Sequence, residues 1–196
     1  SEAPGKVLLD AGCGVGGSAI YLANKYPELK IVGVNISKPQ VESARGFSKE
    51  RLNHPAVEFH HRSYTNLQMP GEIVDGVYGV ESICHTPNKQ CFYREAHSIL
   101  KARGKLVVID YFMANPPIID ADSDKLYEFQ KGWQIADCHE NYIEELALTG
   151  FENVQLKDIT KEVQRGIFKS HVKAIEKLST QNVEYSHLMI KHLRAC

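Results

Sequence analysis

The fold is decided by residues 7–18, which read Val7-Leu-Leu-Asp-Ala-Gly-Cys-Gly-Val-Gly-Gly-Ser18. An apolar run ends at Asp10, and glycines then occupy positions 12, 14, 16 and 17 before a helix-forming segment. Glycine tolerates positive φ and allows a ligand to approach the backbone closely. A glycine loop between a strand and a helix is typical of a nucleotide-type ligand bound at the carboxyl end of the strand. The stretch therefore predicts the first strand, loop and helix of an α/β fold.

Outward from this stretch, short β-branched runs alternate with helix-like segments. The apolar runs at 7–9 and 106–109 contain no polar residue, which predicts strands buried on both faces, as in a parallel sheet. The alternation predicts right-handed crossovers and a doubly wound, mostly parallel sheet of seven strands with helices on both faces. The predicted strands are 6–10, 30–35, 57–61, 73–80, 105–112, 152–158 and 185–193. The predicted helices are 17–25, 39–52, 89–100, 141–149 and 161–178, with a helical insertion over 113–140.

The helix predicted at 39–52 has a recognisable start. Ser37 is placed to cap it, Pro39 lies in its first turn, and Gln40 completes the Ser-x-x-Gln spacing of a capping box. Gly150 is expected to end the helix predicted at 141–149. No repeat or linker divides the chain, so a single domain over residues 1–196 is predicted.

Composition excludes several classes of protein. The 196 residues include 23 Lys+Arg and 24 Asp+Glu, with a net charge of −1, so no basic field indicates nucleic acid or an anionic membrane. No apolar run approaches the roughly 20 residues of a membrane helix, so no membrane insertion is predicted. The five cysteines are irregularly spaced and match neither a disulfide framework nor a zinc motif. A cytoplasmic setting without a metal site is predicted, and nothing in the sequence indicates a homo-oligomer.

The spacing of the glycine loop separates the candidate ligands. A dinucleotide site favours Gly-x-Gly-x-x-Gly, and a carboxylate at Asp10 would repel a pyrophosphate but accept hydrogen bonds from an ammonium group. Asp-x-Gly-x-Gly-x-Gly at 10–16 resembles the first motif of class I S-adenosylmethionine-dependent methyltransferases, whose cofactor carries an amino-acid moiety and no phosphate. The resemblance implies a Rossmann-like fold and S-adenosyl-L-methionine as the cofactor; a purely structural glycine turn is the alternative. The implied contacts come from Asp10, Gly12, Cys13, Gly14 and Gly16.

Further cofactor contacts are implied after the second and third predicted strands. The acid that usually contacts the ribose hydroxyls is replaced by Asn35, whose amide can both donate and accept hydrogen bonds; a simple turn at Asn35 is the alternative. Ser63 stands where the family commonly places an acid for the adenine amino group. Tyr64 would pack on the adenine ring or, alternatively, serve as a core aromatic. Ile36, Gln40 and Glu81 complete the implied cofactor set.

The segment after the fourth predicted strand narrows the resemblance. Glu-x-x-Cys-His-x-Pro at 81–87 resembles sterol C-methyltransferases, while Asn-Ile-Ser-x-Pro-Gln-Val at 35–41 is similar to natural-product and sugar O-methyltransferases. The resemblance implies a small-molecule acceptor, in first place a lipid, terpenoid or natural product methylated on carbon or oxygen. N- or O-methylation of a polar metabolite is the alternative within the class.

His85, Glu81 and Asp110 are the predicted catalytic residues. Methyl transfer is an in-line displacement, so the enzyme mainly has to align the reactants and exclude water. A hydroxyl acceptor needs a general base, for which histidine has a suitable pKa. An alkene acceptor needs a carboxylate or an aromatic ring to stabilise a carbocation. Structural roles are the alternatives for all three residues, and for Asp110 that role is a helix or loop cap.

Two other classes of function compete. A nicotinamide-dependent oxidoreductase predicts Gly-x-Gly-x-x-Gly and an acid after the second strand, and the sequence has neither. A non-catalytic cofactor-binding module is the second. Nucleic acid methylation is disfavoured because no Asn/Asp-Pro-Pro-aromatic motif ends the fourth strand. The resemblance also implies a helical lid before the first strand, and residues 1–5 are too few to form one, so a lid that is trimmed, disordered or left out of this chain is expected.

Overall fold

The computed structural model describes residues 5–52, 55–110 and 139–163. The chain divides into two compact units, residues 1–154 and 155–196. Five strands form one sheet in the described part of the first unit: β1 (Val7–Ala11), β2 (Lys30–Asn35), β3 (Val57–His61), β4 (Val74–Val80) and β5 (Leu100–Ile109). Its helices are α1 (Gly17–Lys25), α2 (Lys38–Arg51), α3 (Lys89–Ile99) and α4 (His139–Thr149), with a short 3-10 helix at Ile83–His85.

The described strands are all parallel and lie in the order β3-β2-β1-β4-β5. The order reverses between β1 and β4, because β2 and β3 extend the sheet on one side of β1 while β4 and β5 extend it on the other. Asp10 of β1 lies in register with Gly33 of β2 and with Tyr78 of β4. The predicted α/β fold with a parallel sheet is therefore confirmed, and the crevice at the β1–β4 reversal is where such sheets bind ligands.

Two separate cores cover the two sides of the sheet. The buried apolar residues of α1 and α2 cover one side and those of α3 and α4 cover the other, so the sheet is wound on both faces as predicted. The α1 side contains Ala19, Ile20, Ala23, Ile31, Val41, Ala44 and Phe59. The α3 side contains Leu9, Val77, Phe92, Tyr93, Ala96, Ile99 and Tyr142.

Local signals account for the ends of several helices. Asn88 caps α3, because its side chain accepts a hydrogen bond from the amide of Cys91. Gly150 ends α4 with a φ of 105°, and its amide donates to the carbonyl of Ala147. The predicted stop at Gly150 is confirmed.

β5 begins at Leu100 rather than at the predicted residue 105. Leu100 already pairs with Val74 of β4, and the register then shifts before Lys105 pairs with Gly76. Arg103, with a φ of 65°, lies within the extra residues that this irregularity inserts. The sequence shows only the second half of the strand, because residues 101–105, Lys-Ala-Arg-Gly-Lys, contain no large apolar side chain.

The predicted strand at 152–158 is wrong. These residues are irregular and join no ladder in the part of the chain that the structure describes. Helical residues begin at Thr160 and reach Val163, the last described residue, where a helix is predicted from 161. The last predicted strand, 185–193, lies outside the described residues, as do residues 113–138 of the insertion predicted over 113–140. The described residues hold five strands, against seven predicted for the whole chain.

An open groove lies beside α1, on the side of β4 and β5 that carries Val107 and Ile109. The groove has a volume of ≈ 590 Å³, and Val107 and Ile109 are 50% and 42% exposed. Its lining is mainly apolar and includes Tyr21, Leu22, Tyr78, Val80, Val107 and Ile109. Among the described helices, none is both long and apolar enough to cross a membrane.

Candidate functional site

The glycine loop between β1 and α1 is shaped by three glycines with positive φ. Gly12, Gly14 and Gly16 have φ values of 86°, 55° and 85°. A Cβ at Gly12 would lie 2.5 Å from Ser82 Cβ, and one at Gly16 would lie 2.7 Å from Phe59 Cζ, so packing requires both glycines. A Cβ at Gly14 would meet nothing within 4 Å. The loop is therefore packed at its two ends and open at Gly14.

The loop is fixed to the end of β2. The amides of Gly12 and Cys13 both donate to the carbonyl of Val34, at 2.9 and 3.0 Å. Gly16 then starts α1 in the left-handed conformation, without a side-chain cap and without an acidic residue in the first turn of the helix. The first amides of α1 are consequently suited to an anionic group of a ligand.

Asp10 is buried at the β1–β4 reversal, directly before this loop. Its side chain is 2% exposed, and Tyr78 Oη donates a hydrogen bond to Asp10 Oδ2 at 3.0 Å. Burial raises the pKa of Asp10 to about 7, although the Tyr78 hydrogen bond lowers it. The same burial, together with the charge of Asp10, raises the pKa of the Cys13 thiol to about 12. A cationic ligand group would stabilise the ionised form of Asp10.

Asn35 organises the start of α2, which corrects the predicted capping box. Ser37 occupies the cap position, but its side chain makes no capping hydrogen bond. Asn35 Oδ1 accepts from the amide of Ser37 at 3.2 Å, and Asn35 Nδ2 donates to Gln40 Oε1 at 2.6 Å. Asn35 therefore binds the Ser37 amide and the Gln40 side chain, two groups that the capping box would pair with each other. Nδ2 also lies 3.4 Å from the carbonyl oxygen of Gly14, so Asn35 lies beside the open part of the glycine loop.

The segments that follow β2 and β3 bring three of the predicted cofactor residues to the carboxyl edge of the sheet, namely Ile36, Ser63 and Tyr64. Ile36 is 69% exposed, which leaves its side chain available to a ring. Tyr64 is half-buried, stands edge-on to Phe92 and donates from its hydroxyl to the carbonyl of Ser82 at 2.9 Å. Ser63 Oγ accepts from the amide of Thr65 and lies 2.7 Å from Thr65 Oγ1, so it is part of a tight turn.

The three predicted catalytic residues lie at the carboxyl ends of β4 and β5. Glu81 is exposed, has a φ of 49° and donates its amide to the carbonyl of Ile109. Asp110 Oδ2 accepts from the amide of Cys84 at 2.8 Å and so caps the 3-10 helix whose last residue is His85, itself exposed. Burial, with a smaller contribution from Asp110, raises the pKa of Cys84 to about 12, so this thiol is not a nucleophile at neutral pH.

Comparison with known proteins decides the family. The sequence profile described as the methyltransferase domain matches residues 9–108 of the chain. The chain belongs to the methyltransferase domain family. The matched residues run from β1 to β5 and include the glycine loop, which confirms the predicted class of domain.

Characterised relatives of this methyltransferase domain act on different small molecules. Phosphoethanolamine N-methyltransferase 3 of Arabidopsis thaliana is 28% identical over 89% of this chain and 34% of its own length. The sterol 24-C-methyltransferase of Aspergillus fumigatus is 29% identical over 76% of this chain and 39% of its own. The chain thus spans only about a third of the length of these relatives.

A solved structure shows the same fold. Phosphoethanolamine N-methyltransferase 2 of Haemonchus contortus, in complex with S-adenosyl-L-methionine, superposes with a TM-score of 0.82 at 18% identity, and covers 100% of this chain and 45% of its own. This likeness confirms the methyltransferase fold of the chain.

Two residues of the methyltransferase domain's candidate site are not predicted from the sequence. Tyr78 reaches Asp10, and Ser82 Oγ donates to the carbonyl of Ala11 at 2.6 Å while its Cβ packs against Gly12. Both residues belong to the segment around β4, and both contact β1 or the loop that follows it. A parallel register that places Tyr78 beside Asp10 would have indicated the first contact, but the register of two strands so far apart in sequence is not visible in a single sequence.

Proposed function

We propose that this domain binds S-adenosyl-L-methionine and transfers its methyl group to a small molecule. The observation that carries the proposal is a buried carboxyl, Asp10, beside a glycine loop that is open at Gly14. The ammonium of the cofactor would pair with Asp10, and its carboxylate would meet the uncapped first turn of α1. A pyrophosphate in the same place would be repelled by Asp10, which argues against a nicotinamide cofactor.

The other predicted cofactor residues would complete the site. The amino-acid end of the cofactor would contact the backbone of the glycine loop, at Gly12, Cys13, Gly14 and Gly16. Asn35, held in place by Gln40 and the Ser37 amide, would meet the ribose hydroxyls, and the exposed Ile36 would pack on the adenine ring. Ser63, Tyr64 and Glu81 would line the remaining sides of the site.

The bound cofactor would supply a methyl group already activated on a sulfonium. Glu81 and His85 are exposed at the end of β4, so each could meet an acceptor above the sheet. Either side chain could take the proton of a hydroxyl or an ammonium, or stabilise a developing cation. Asp110 would position His85, because it holds the amide of Cys84 in the 3-10 helix.

We place a lipid, terpenoid or natural product first among the acceptors. The Glu-x-x-Cys-His-x-Pro segment supports this choice, as does the similarity to a sterol 24-C-methyltransferase. A phosphorylated amine such as phosphoethanolamine is the second candidate, because the similarity to the plant N-methyltransferase extends over 89% of the chain. A cytoplasmic setting is part of the proposal, and the free thiols of Cys13, Cys84 and Cys91 agree with it.

Calorimetry and mass spectrometry test the proposal in two steps. The chain is first titrated with S-adenosyl-L-homocysteine and with NADH, and we expect binding of the first only. It is then incubated with S-adenosyl-L-methionine and one acceptor at a time: a sterol, a phenolic polyketide or phosphoethanolamine. Mass spectrometry of the products detects the mass of an added methyl group. A folded chain that does not bind S-adenosyl-L-homocysteine would overturn the cofactor assignment. Methylation of phosphoethanolamine alone would replace the first acceptor by the second.

A further inference from the structure

We infer that Tyr78 is a positioning residue that favours the ionised form of Asp10 and orients it for the ammonium group of the cofactor. The inference rests on the proposed function, and it assigns to β4 a part in cofactor binding that the glycine-loop motif does not contain. Tyr78 itself would not touch the cofactor. Its effect would pass through a single hydrogen bond to Asp10.

The register of the sheet explains why Tyr78 has this position. Asp10 lies between two neighbours, Gly33 on β2 and Tyr78 on β4. Gly33 has no side chain, and the space that its Cβ would need is filled by Phe59 and Cys13. The side-chain hydrogen bond that Asp10 receives from the neighbouring strands therefore comes from Tyr78 Oη, at 3.0 Å from Oδ2. With Oδ2 engaged in this way, Oδ1 is the oxygen left for a ligand.

The titratable groups around Asp10 keep Tyr78 in the role of donor. Burial and the neighbouring Asp10 hold the pKa of the Tyr78 phenol far above its usual value, so the hydroxyl stays protonated. The Cys13 thiol from the loop also stays protonated at neutral pH. On α1, Tyr21 is 61% exposed and Lys25 lies over its ring, at the outer surface of the helix. The hydrogen bond from Tyr78 consequently favours the carboxylate over the carboxylic acid, which is the form that an ammonium requires.

The test compares two ligands that differ at the amino-acid end. S-Adenosyl-L-homocysteine has the ammonium, and 5′-methylthioadenosine lacks the whole amino-acid moiety. Both are titrated by calorimetry into the wild-type chain and into Tyr78→Phe between pH 6 and 8.5. At pH 7 we expect Tyr78→Phe to bind S-adenosyl-L-homocysteine about tenfold more weakly, because without this hydrogen bond a smaller fraction of Asp10 is ionised. The affinity for 5′-methylthioadenosine should remain unchanged, and the tenfold loss should shrink as the pH rises.

A matched control and a second variant keep the result interpretable. Tyr21, like Tyr78, lines the open groove beside α1, but its hydroxyl makes no hydrogen bond to Asp10. The variant Tyr21→Phe should therefore bind both ligands as the wild type does. Should Tyr78→Phe fail to fold, Tyr78→Met removes the same hydroxyl with a more adaptable side chain, and it should discriminate between the ligands in the same way.

Three results separate this inference from the proposed function. Suppose that the wild type binds S-adenosyl-L-homocysteine and that the affinity of both Tyr78 variants for this ligand depends on pH as the wild-type affinity does. Tyr78 then does not position Asp10. An equal loss of affinity for both ligands in the Tyr78 variants would also overturn the inference, because it would indicate that Tyr78 has a general packing role. If the folded wild type binds neither ligand, the proposed function itself fails.

Discussion

The carboxyl of Asp10 is 2% exposed and its pKa is about 7, against 3.8 for a solvated aspartate. At neutral pH the ligand-free protein therefore holds a partly charged group in a place that opposes charge. A carboxyl kept in this state gains more from a cationic partner than a solvated one does, because little water has to be displaced. The burial of Asp10 therefore increases the affinity for a cationic ligand but lowers the stability of the ligand-free protein.

A first prediction concerns the pH dependence of stability. Between pH 3.8 and 7, Asp10 keeps its proton in the folded state and loses it in the unfolded state, so its contribution to the free energy of unfolding falls as the pH rises. The fall is about 1.4 kcal/mol per pH unit, or about 4 kcal/mol in all. Asp10→Asn removes this loss. We expect the variant to be more stable than the wild type at pH 8 and equal to it at pH 4, in urea denaturation.

Asp75 provides a control of the opposite sign. The amide of Val7 and the ammonium of Lys101 lower the pKa of this carboxyl, so its stabilisation is present above pH 3.8 and is lost as the pH falls below that value. Asp75→Asn should therefore destabilise the protein at pH 8 and have no effect well below pH 3.8. A gain for Asp10→Asn that is the same at pH 4 and pH 8 would show that its cause is not the charge.

At the scale of the element, the glycine loop is the best test of where a ligand binds. Gly14→Ala should cost about 1 kcal/mol of stability, because a Cβ disfavours the left-handed conformation. The new methyl has open space, so the fold should persist, but it would project where we place the cofactor. We expect the affinity for S-adenosyl-L-homocysteine, measured by calorimetry, to fall about tenfold, or about 1.4 kcal/mol.

Gly46 is the matched control for this substitution. It lies exposed in α2, and a Cβ there would also meet nothing within 4 Å. Gly46→Ala should raise stability by about 0.5–1 kcal/mol through the helix preference of alanine and should leave the affinity unchanged. Unaltered binding by Gly14→Ala would indicate that the cofactor does not approach this part of the loop.

The order of strands and helices up to residue 110 could be predicted from the sequence, because each element has its own local pattern. Predicted strands 30–35 and 57–61 and predicted helix 17–25 match β2, β3 and α1. The other helix and strand boundaries differ by at most two residues, except at β5. The strand wrongly predicted at 152–158 contains Val154, whose preference for strands is realised only where a neighbouring strand is available.

The sequence predicts the site residues that belong to local motifs. It does not predict the contacts between residues that lie far apart in the chain. Asp10 and the loop glycines form a local motif, and Glu81 and Asp110 follow the ends of apolar strands. The hydrogen bonds from Tyr78 and Ser82 to the β1 segment depend on the pairing of β1 with β4. The engagement of Gln40 by Asn35 depends on how β2 leads into α2, where the capping-box pattern predicted a different partner.

At the scale of the whole first unit, the exposed side of β4 and β5 is a testable surface. Val107 and Ile109 line the open groove, whereas Leu106 and Val108 on the opposite side of β5 pack against the α3 core. Changing Val107 and Ile109 together to threonine should alter the free energy of unfolding by no more than about 0.5 kcal/mol. It should also reduce the fluorescence of a hydrophobic dye that binds exposed apolar surface.

Leu106→Thr is the comparison for this double substitution. It places a hydroxyl against the α3 core and should cost about 1–3 kcal/mol without changing dye binding. If the Val107 and Ile109 substitutions destabilise the protein as much as Leu106→Thr does, then the groove is covered in solution.

Asp10 and its partner Tyr78 are separated by 68 positions in the chain. During synthesis, β1 and β2 emerge early and can pair, but the other edge of β1 remains open until β4 has left the ribosome. Contacts between such distant segments form late and slowly. Until then we expect the Asp10 carboxylate to stay hydrated and the free edge of β1 to be accessible to chaperones or to other chains. The nascent protein would thus complete its cofactor site and pair the free edge of β1 in the same step.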